Sequence, residues 1–206
     1  MLRLFTYLHR KSREKKYWLF QQLLQPAPEA RILNLGATGT TTGLADQFES
    51  FHPHHEQVVG GGLSAGDVYD YARSFPRVQA AVFDGCALPF ADKSFDIVFS
   101  NAVIEHLPDW EAQQRFAAEV KRVGRAWFVT TPNFWFPFEV HYRLPLVQFL
   151  STPTQQRIGR ALGKTTYPVL RLLSRRQLRR LFPESRILGC RVTFYPETLI
   201  AVSPPS

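Results

Sequence analysis

A chain of 206 residues, 45% hydrophobic and 20% charged, has the balance of a globular protein with one sizeable core and is short for two full domains. Its formal charge of +8 is carried by the flanks: residues 1–20 sum to +5, residues 21–156 to −5 and residues 157–191 to +9, with Glu197 closing the count. Cys86 and Cys190 share no metal-like spacing, and no segment is apolar for long enough to span a bilayer. A cleavable signal is also missing behind Met1, so we expect a cytoplasmic protein with reduced thiols and basic flanks. Those flanks either attract anionic lipid, nucleic acid or an acidic substrate, or are solvated helix faces.

In chain order, residues 3–24 show the helical spacing of Leu4, Phe5, Leu8, Tyr17, Phe20 and Leu24 among basic positions, and Pro26 and Pro28 end the element. Arg31 to Leu35 is a short buried strand that stops at Gly36, with a helix expected over Thr42 to Phe48. Further strands are expected at Gln57–Val59, ending in Gly60-Gly61-Gly62, at Val78–Phe83 and at Phe95–Phe99. Asp109 is placed to cap a helix carrying Phe116, Ala117, Val120 and Val123, which Gly124 stops. Ala126 to Thr130 is a fifth strand. Residues 134–173 break the rhythm, being aromatic and proline-bearing and then basic. Ser174 and Gln177 form a capping box before Leu178, Leu181 and Phe182. Two strands, Ile187–Phe194 and Thr198–Val202, are joined so tightly that they must be antiparallel neighbours. The fold class expected is α/β: a doubly wound, mostly parallel seven-stranded sheet with a C-terminal antiparallel hairpin and helices on both faces.

In such a sheet, ligands bind beyond the carboxyl ends of the strands. Leu35-Gly36-Ala37-Thr38-Gly39-Thr40 lies at such an end, with no Gly-Lys-Ser/Thr of a phosphate-binding loop. Val58 to Ser64 sits at the second strand. Asp84-Gly85-Cys86-Ala87-Leu88-Pro89-Phe90, then Asp92 to Val98, then Asn101 through Glu105-His106-Leu107, make a long central signature. From about Ile32 to Val202 these segments resemble the class I S-adenosylmethionine-dependent methyltransferases, in particular the small-molecule and lipid methyltransferases. The resemblance implies S-adenosyl-L-methionine as cofactor, held by Asn34, Gly36, Thr38, Gly39, Gly62, Asp84, Gly85, Cys86 and Asn101. Gly36 would pass the methionine part, Asp84 would accept from the adenine amino group with Gly85 and Cys86 beside the ring, and Asn101 would face the methionine end. Leu88, Phe90 and Phe95 read as core.

Two positions depart from that pattern. Asn34 stands where the family has an acid, and Gly62 stands where it has an Asp or Glu that grips both ribose hydroxyls; Asp67 or Ser64 could substitute. The family needs no protein nucleophile, because alignment of acceptor and methyl supplies much of the catalysis. A base would help a hydroxyl acceptor, and the candidates are His106 beside Glu105, and Glu139 with His141 after the fifth strand. His52, His54 and His55 read as surface histidines, with no metal site.

The chain divides into a basic N-terminal helix (1–28) capping the cleft and a single methyltransferase-like domain (29–206) with an acceptor-side insertion at about 134–173. The aromatic and basic character of both acceptor-side segments points to a small or amphiphilic acceptor, with peripheral contact to anionic membrane through Leu4, Phe5, Leu8 and Trp135. RNA ranks lower, because no RNA-binding module accompanies the basic residues. A nicotinamide dinucleotide enzyme is disfavoured by the signature at 84–107. The non-enzyme alternative is an adaptor or scaffold of the same fold, motivated by Asn34 and Gly62.

Overall fold

A computed structural model of the protein describes residues 2–37, 47–139, 142, 144–163 and 170–203, the side chains of 2–6 and 9 excepted. The chain opens with helix α1 (Leu2–Leu24), followed by β1 (Ile32–Leu35), β2 (Val58–Gly62), α2 (Ala65–Ser74), β3 (Gln79–Val82) and β4 (Phe95–Asn101). It continues through α3 (Trp110–Val123), β5 (Gly124–Pro132), a short hairpin of β6 (Phe138–Glu139) and β7 (Leu144–Pro145), α4 (Thr152–Ala161), α5 (Arg175–Leu181), β8 (Arg186–Cys190) and β9 (Thr198–Val202). The seven-stranded sheet has the order β3-β2-β1-β4-β5-β9-β8. Strands β1 to β5 are parallel, β9 runs antiparallel to β5, and β8 antiparallel to β9. The order reverses between β1 and β4, which opens a crevice at their carboxyl ends.

Both faces are covered, so side chains alternate between two apolar layers. Ile32, Val58, Ile97, Phe99, Ala126 and Phe128 point to the face that receives Tyr17 and Phe20 of α1. Phe20 stands edge-on to Phe48, Phe99 and Phe128 there, with ring centroids 5.4, 5.6 and 5.7 Å away. Leu33, Val59, Val98, Trp127 and Val129 point to the other face and pack against Phe116 and Val120 of α3 and Leu178 and Leu181 of α5. Asp109 accepts from the Ala112 amide at 2.7 Å, and Ser174 and Gln177 close a capping box, so both helix starts lie where their caps are.

The structure departs from the sequence reading in four places. Strand β2 runs through Gly60 to Gly62 instead of ending there. Gly60 serves close packing, since a Cβ on it would lie 2.3 Å from the Tyr71 hydroxyl. Helix α2, capped by Ser64, follows directly. Residues 134–163 are partly regular, holding β6, β7 and α4. Gly124 does stop α3 as expected, and it starts β5 at an ordinary extended φ of −95°. Within the helix expected at Thr42–Phe48, residues 42–46 lie outside the described residues, and Phe48–Ser50 is a single 3₁₀ turn. Finally, His52 is buried rather than superficial, stacked on Phe48 at 5.0 Å.

Candidate functional site

The crevice at the β1/β4 switch is built from three turns. The first follows β1. Gly36 has φ +80°, a left-handed conformation that glycine adopts without steric cost. A Cβ there would lie 2.3 Å from Val103 Cγ2, so the turn sits directly on the segment leaving β4. The amides of Gly36 and Ala37 both donate to the Gly61 carbonyl, at 2.8 and 3.1 Å, tying the turn to β2. Gly62, the last residue of β2, faces this turn: a Cβ on it would come no closer than 3.8 Å to Gly36 Cα. Thr38 and Gly39 lie outside the described residues.

The second turn follows β3. Asp84 is exposed, and its Oδ1 accepts from the Cys86 amide at 2.8 Å, a local turn closed by the side chain. Gly85 leaves just enough room for the Phe116 ring, 3.0 Å from where a Cβ would stand. Cys86 donates its thiol to the Ala112 carbonyl at 3.4 Å, and burial followed by the nearby Asp84 charge pushes that thiol up. The loop is anchored from α3. Glu119 accepts from the Leu88 amide at 2.7 Å, and Arg122 donates to the carbonyls of Leu88 and Phe90 and to Glu119 and Asp92.

The third turn follows β4. Asn101 and Thr130 are register partners on β4 and β5, and the Thr130 hydroxyl donates to Asn101 Oδ1 at 2.8 Å. Lys16 of α1 donates to the same oxygen at 2.7 Å. Two donors on one oxygen fix the amide, so the Asn101 NH₂ is the part left to meet a ligand. The next residue, Ala102, has φ +59°, a costly conformation for a residue with a Cβ, and it swings the chain away from the sheet. Glu105, fully buried, accepts from Thr131 Oγ1 at 3.2 Å, while His106 is exposed at the rim.

Beyond the carboxyl ends of β4 and β5 lies a cavity of about 230 Å³. Trp110 and Phe134 supply aromatic walls, while Gln113, Gln148, Glu139 and Arg171 supply polar groups. Gln113 is held by bonds to the carbonyls of Ile104 and Arg171, both 3.0 Å, and Arg171 donates to the Pro108 carbonyl. Gln148 is buried and donates to the Phe136 carbonyl at 2.6 Å, while its Oε1 meets no partner among the described residues. Glu139 is buried in the wall and accepts from the Tyr142 amide at 2.6 Å. His141 lies outside the described residues. At the rim, Phe134, Trp135 and Phe149 cluster with centroids 5.1 to 5.9 Å apart, and Trp135 stays 59% exposed.

Asn34 is buried one layer below the Gly36 turn and donates to Glu49 Oε1 at 2.6 Å; the Tyr71 hydroxyl donates to the same oxygen at 2.6 Å. The sequence reading missed this carboxylate. Glu49 brings an acid to the position of Asn34 from a different part of the chain, and burial holds its carboxyl well above the usual range. The only signal in the sequence was the amide itself, which demands a buried partner.

These groups fit the cofactor implied by the resemblance at its two ends. The left-handed glycine turn and the Asn101 NH₂ suit a methionine tail. The exposed Asp84 carboxylate keeps acceptor positions beyond the one used by Cys86 and suits an adenine amino group. Between them, Gly62 offers no oxygen to a ribose, and the Ser64 hydroxyl oxygen is engaged at 3.2 Å as the cap of α2.

Comparison with known proteins points to the same fold. Residues 35–126 match a family model described as a methyltransferase domain. The chain is 33% identical over 136 residues to a demethylmenaquinone methyltransferase of Beutenbergia cavernae, covering 64% of this chain and 53% of that one. It is 28% identical over 141 residues to an uncharacterized protein of Mycobacterium tuberculosis, covering 65% and 46%. The chain thus spans about half the length of the curated relatives it matches. Among solved structures, a SAM-dependent methyltransferase of Methanosarcina mazei superposes with a TM-score of 0.61 at 16% identity, covering 91% of this chain and 98% of that one.

Proposed function

The chain has the class I S-adenosylmethionine-dependent methyltransferase-like fold, and on that premise we propose that it binds S-adenosyl-L-methionine and transfers the methyl group to a small or amphiphilic acceptor. The observation that carries the reading is the meeting of the Gly36 turn, the Asp84 turn and the oriented Asn101 amide at one edge of the sheet. The bound cofactor supplies an electrophilic methyl group. Gly36 and Asn101 hold its methionine end and Asp84 its adenine, while Gly85 lets the backbone lie against the ring.

The acceptor enters the cavity between Trp110 and Phe134. Uncharged amides dominate the polar lining, so the acceptor is a ring or chain with hydroxyl or carbonyl groups, and the exposed Phe134–Trp135–Phe149 cluster suits one with an apolar tail. Where the acceptor is a hydroxyl, Glu139 in the cavity wall is placed to receive its proton, with His141 and His106 as the other candidates. No helix among the described residues is long and apolar enough to cross a membrane.

Gly62 favours a second reading, a scaffold of the same fold in which cofactor affinity has decayed. Titration calorimetry with S-adenosylmethionine and S-adenosylhomocysteine decides between them. The methyltransferase reading expects saturable binding that Asp84→Ala weakens by about tenfold, the worth of one charge-assisted contact. Circular dichroism serves as the folding control. Absence of binding at millimolar ligand by the folded wild type would leave the scaffold.

A further inference from the structure

Lys16 is an unusual lysine. It is only 8% exposed, whereas lysine is almost never buried without a partner. Its ammonium makes one hydrogen bond, to the neutral Asn101 Oδ1, and forms no ion pair with a carboxylate among the described residues. Two of its three N–H donors therefore have no partner among the described residues, and a buried donor left so costs stability. Pinning α1 to the sheet does not require it, because Phe20 and Tyr17 already do so through four aromatic neighbours, Phe48, Phe51, Phe99 and Phe128.

The location of that ammonium is set by strand register. Leu35 pairs with Ser100, so Gly36 and Asn101 each follow directly on a paired residue of adjoining strands. Lys16 sits over Asn101 on the α1 face. The charges facing it come from every element packed around it: Arg13 on α1, Glu105 after β4, Cys190 on β8 and Glu197 before β9. Burial, and then Arg13, lower the Lys16 ammonium to about 8, against weaker opposing contributions from Cys190, Glu105 and Glu197. The group is therefore cationic at neutral pH and close to releasing its proton.

We propose that Lys16 is the cation that binds the carboxylate of the cofactor's methionine part, so that α1 closes one wall of the cofactor site. The assignment rests on the methyltransferase reading above. Asn101 is then a two-sided group: its oxygen collects Lys16 and Thr130, and its NH₂ remains for the same ligand. Lys16 acts as a binding residue for the tail and as a positioning residue for the Asn101 amide.

The test is calorimetry on the full chain with two ligands, S-adenosylhomocysteine and 5′-methylthioadenosine, which lacks the amino-acid tail. Lys16→Met is expected to weaken S-adenosylhomocysteine by about tenfold or more and to leave methylthioadenosine within about twofold. Lys16→Arg is expected to keep the affinity. With wild type, the preference for S-adenosylhomocysteine over methylthioadenosine should shrink as pH rises through about 8, and with Lys16→Arg that dependence should flatten. The pH series on wild type and Lys16→Arg decides the matter if Lys16→Met does not fold. Equal weakening of both ligands by Lys16→Met, or an unchanged S-adenosylhomocysteine affinity, would overturn the assignment while leaving the cofactor reading in place. If wild type binds neither ligand, the cofactor reading fails and this assignment with it.

Discussion

On the α3 face of the sheet, charge is matched by charge: the Arg122 guanidinium meets Glu119, Asp92 and two carbonyls, and Glu119 also accepts from the Leu88 amide. On the α1 face, Lys16, Glu49 and His52 are all buried, and burial is the leading force on each, pushing Lys16 and His52 down and Glu49 up. The first face clamps a loop in one conformation. The second holds ionisable groups whose charged forms burial disfavours, where a ligand or a pH change has most leverage. The carboxyl edge of the sheet draws on both: Asp84 is placed by the clamped face and Lys16 by the ionisable one.

That contrast can be broken by substitution. Phe116 is fully buried on the α3 side, and Phe116→Ala should cost about 3–5 kcal/mol in urea unfolding, while loosening the loop at Gly85 that leans on the ring. Glu49→Leu should cost about 2–4 kcal/mol, because the Tyr71 hydroxyl and the Asn34 amide both lose their acceptor. Glu49→Gln keeps an acceptor oxygen and should cost less than about 1 kcal/mol, so the gap between the two variants measures the network rather than the volume.

The pH dependence sharpens the comparison. Burial holds His52 down at about 4, below the value of about 6.5 for an unfolded histidine. Its contribution to stability is complete above the unfolded value and is lost as pH falls from about 6.5 through about 4. Glu49 carries the opposite sign. With its folded value raised, its contribution is complete at acid pH and is lost as pH rises through that value. Unfolding of wild type and His52→Leu across this range should therefore diverge on the acid side, the variant being flatter. Parallel curves would show that His52 is not held neutral by the fold. The smallest effect on stability is expected from Gly62→Asp. The glycine has no left-handed φ and its Cβ direction is open, so the change should stay within about 0.5 kcal/mol. It should nevertheless tighten S-adenosylhomocysteine binding by about tenfold if the ribose lies there.

The parts of the molecule that follow local rules were legible in the sequence. Ile32 to Leu35, the Asp109 cap, the Ser174 capping box and the final antiparallel pair each follow from periodicity or a terminal signal. The central signature likewise placed Asp84 and Asn101 at strand ends. What escaped depended on contacts between distant residues. Gly60 looked like a turn because nothing nearby announces the Tyr71 ring that needs its space. His52 looked superficial among polar neighbours, yet Phe48 and Tyr17 enclose it. Lys16 looked like one more charge on a basic helix until α1 laid it over Asn101. The loss of an acid at Asn34 looked like a defect, and its replacement by Glu49 has a sequence separation of 15 and no local signature.

The position of β9 has a consequence for how the chain is made. Among the described residues it is the last strand in sequence, yet it lies between β5 and β8. Until Val202 has been synthesised, the edge of β5 has no neighbour, and its run of buried side chains from Ala126 to Thr131 presents unpaired backbone groups. About 70 further residues separate the end of β5 from that point, which at roughly 5–20 residues per second leaves the edge open for several seconds on the ribosome. During that interval the apolar Trp127-Phe128-Val129 segment needs shielding, and slow translation through the β8–β9 hairpin would prolong its exposure.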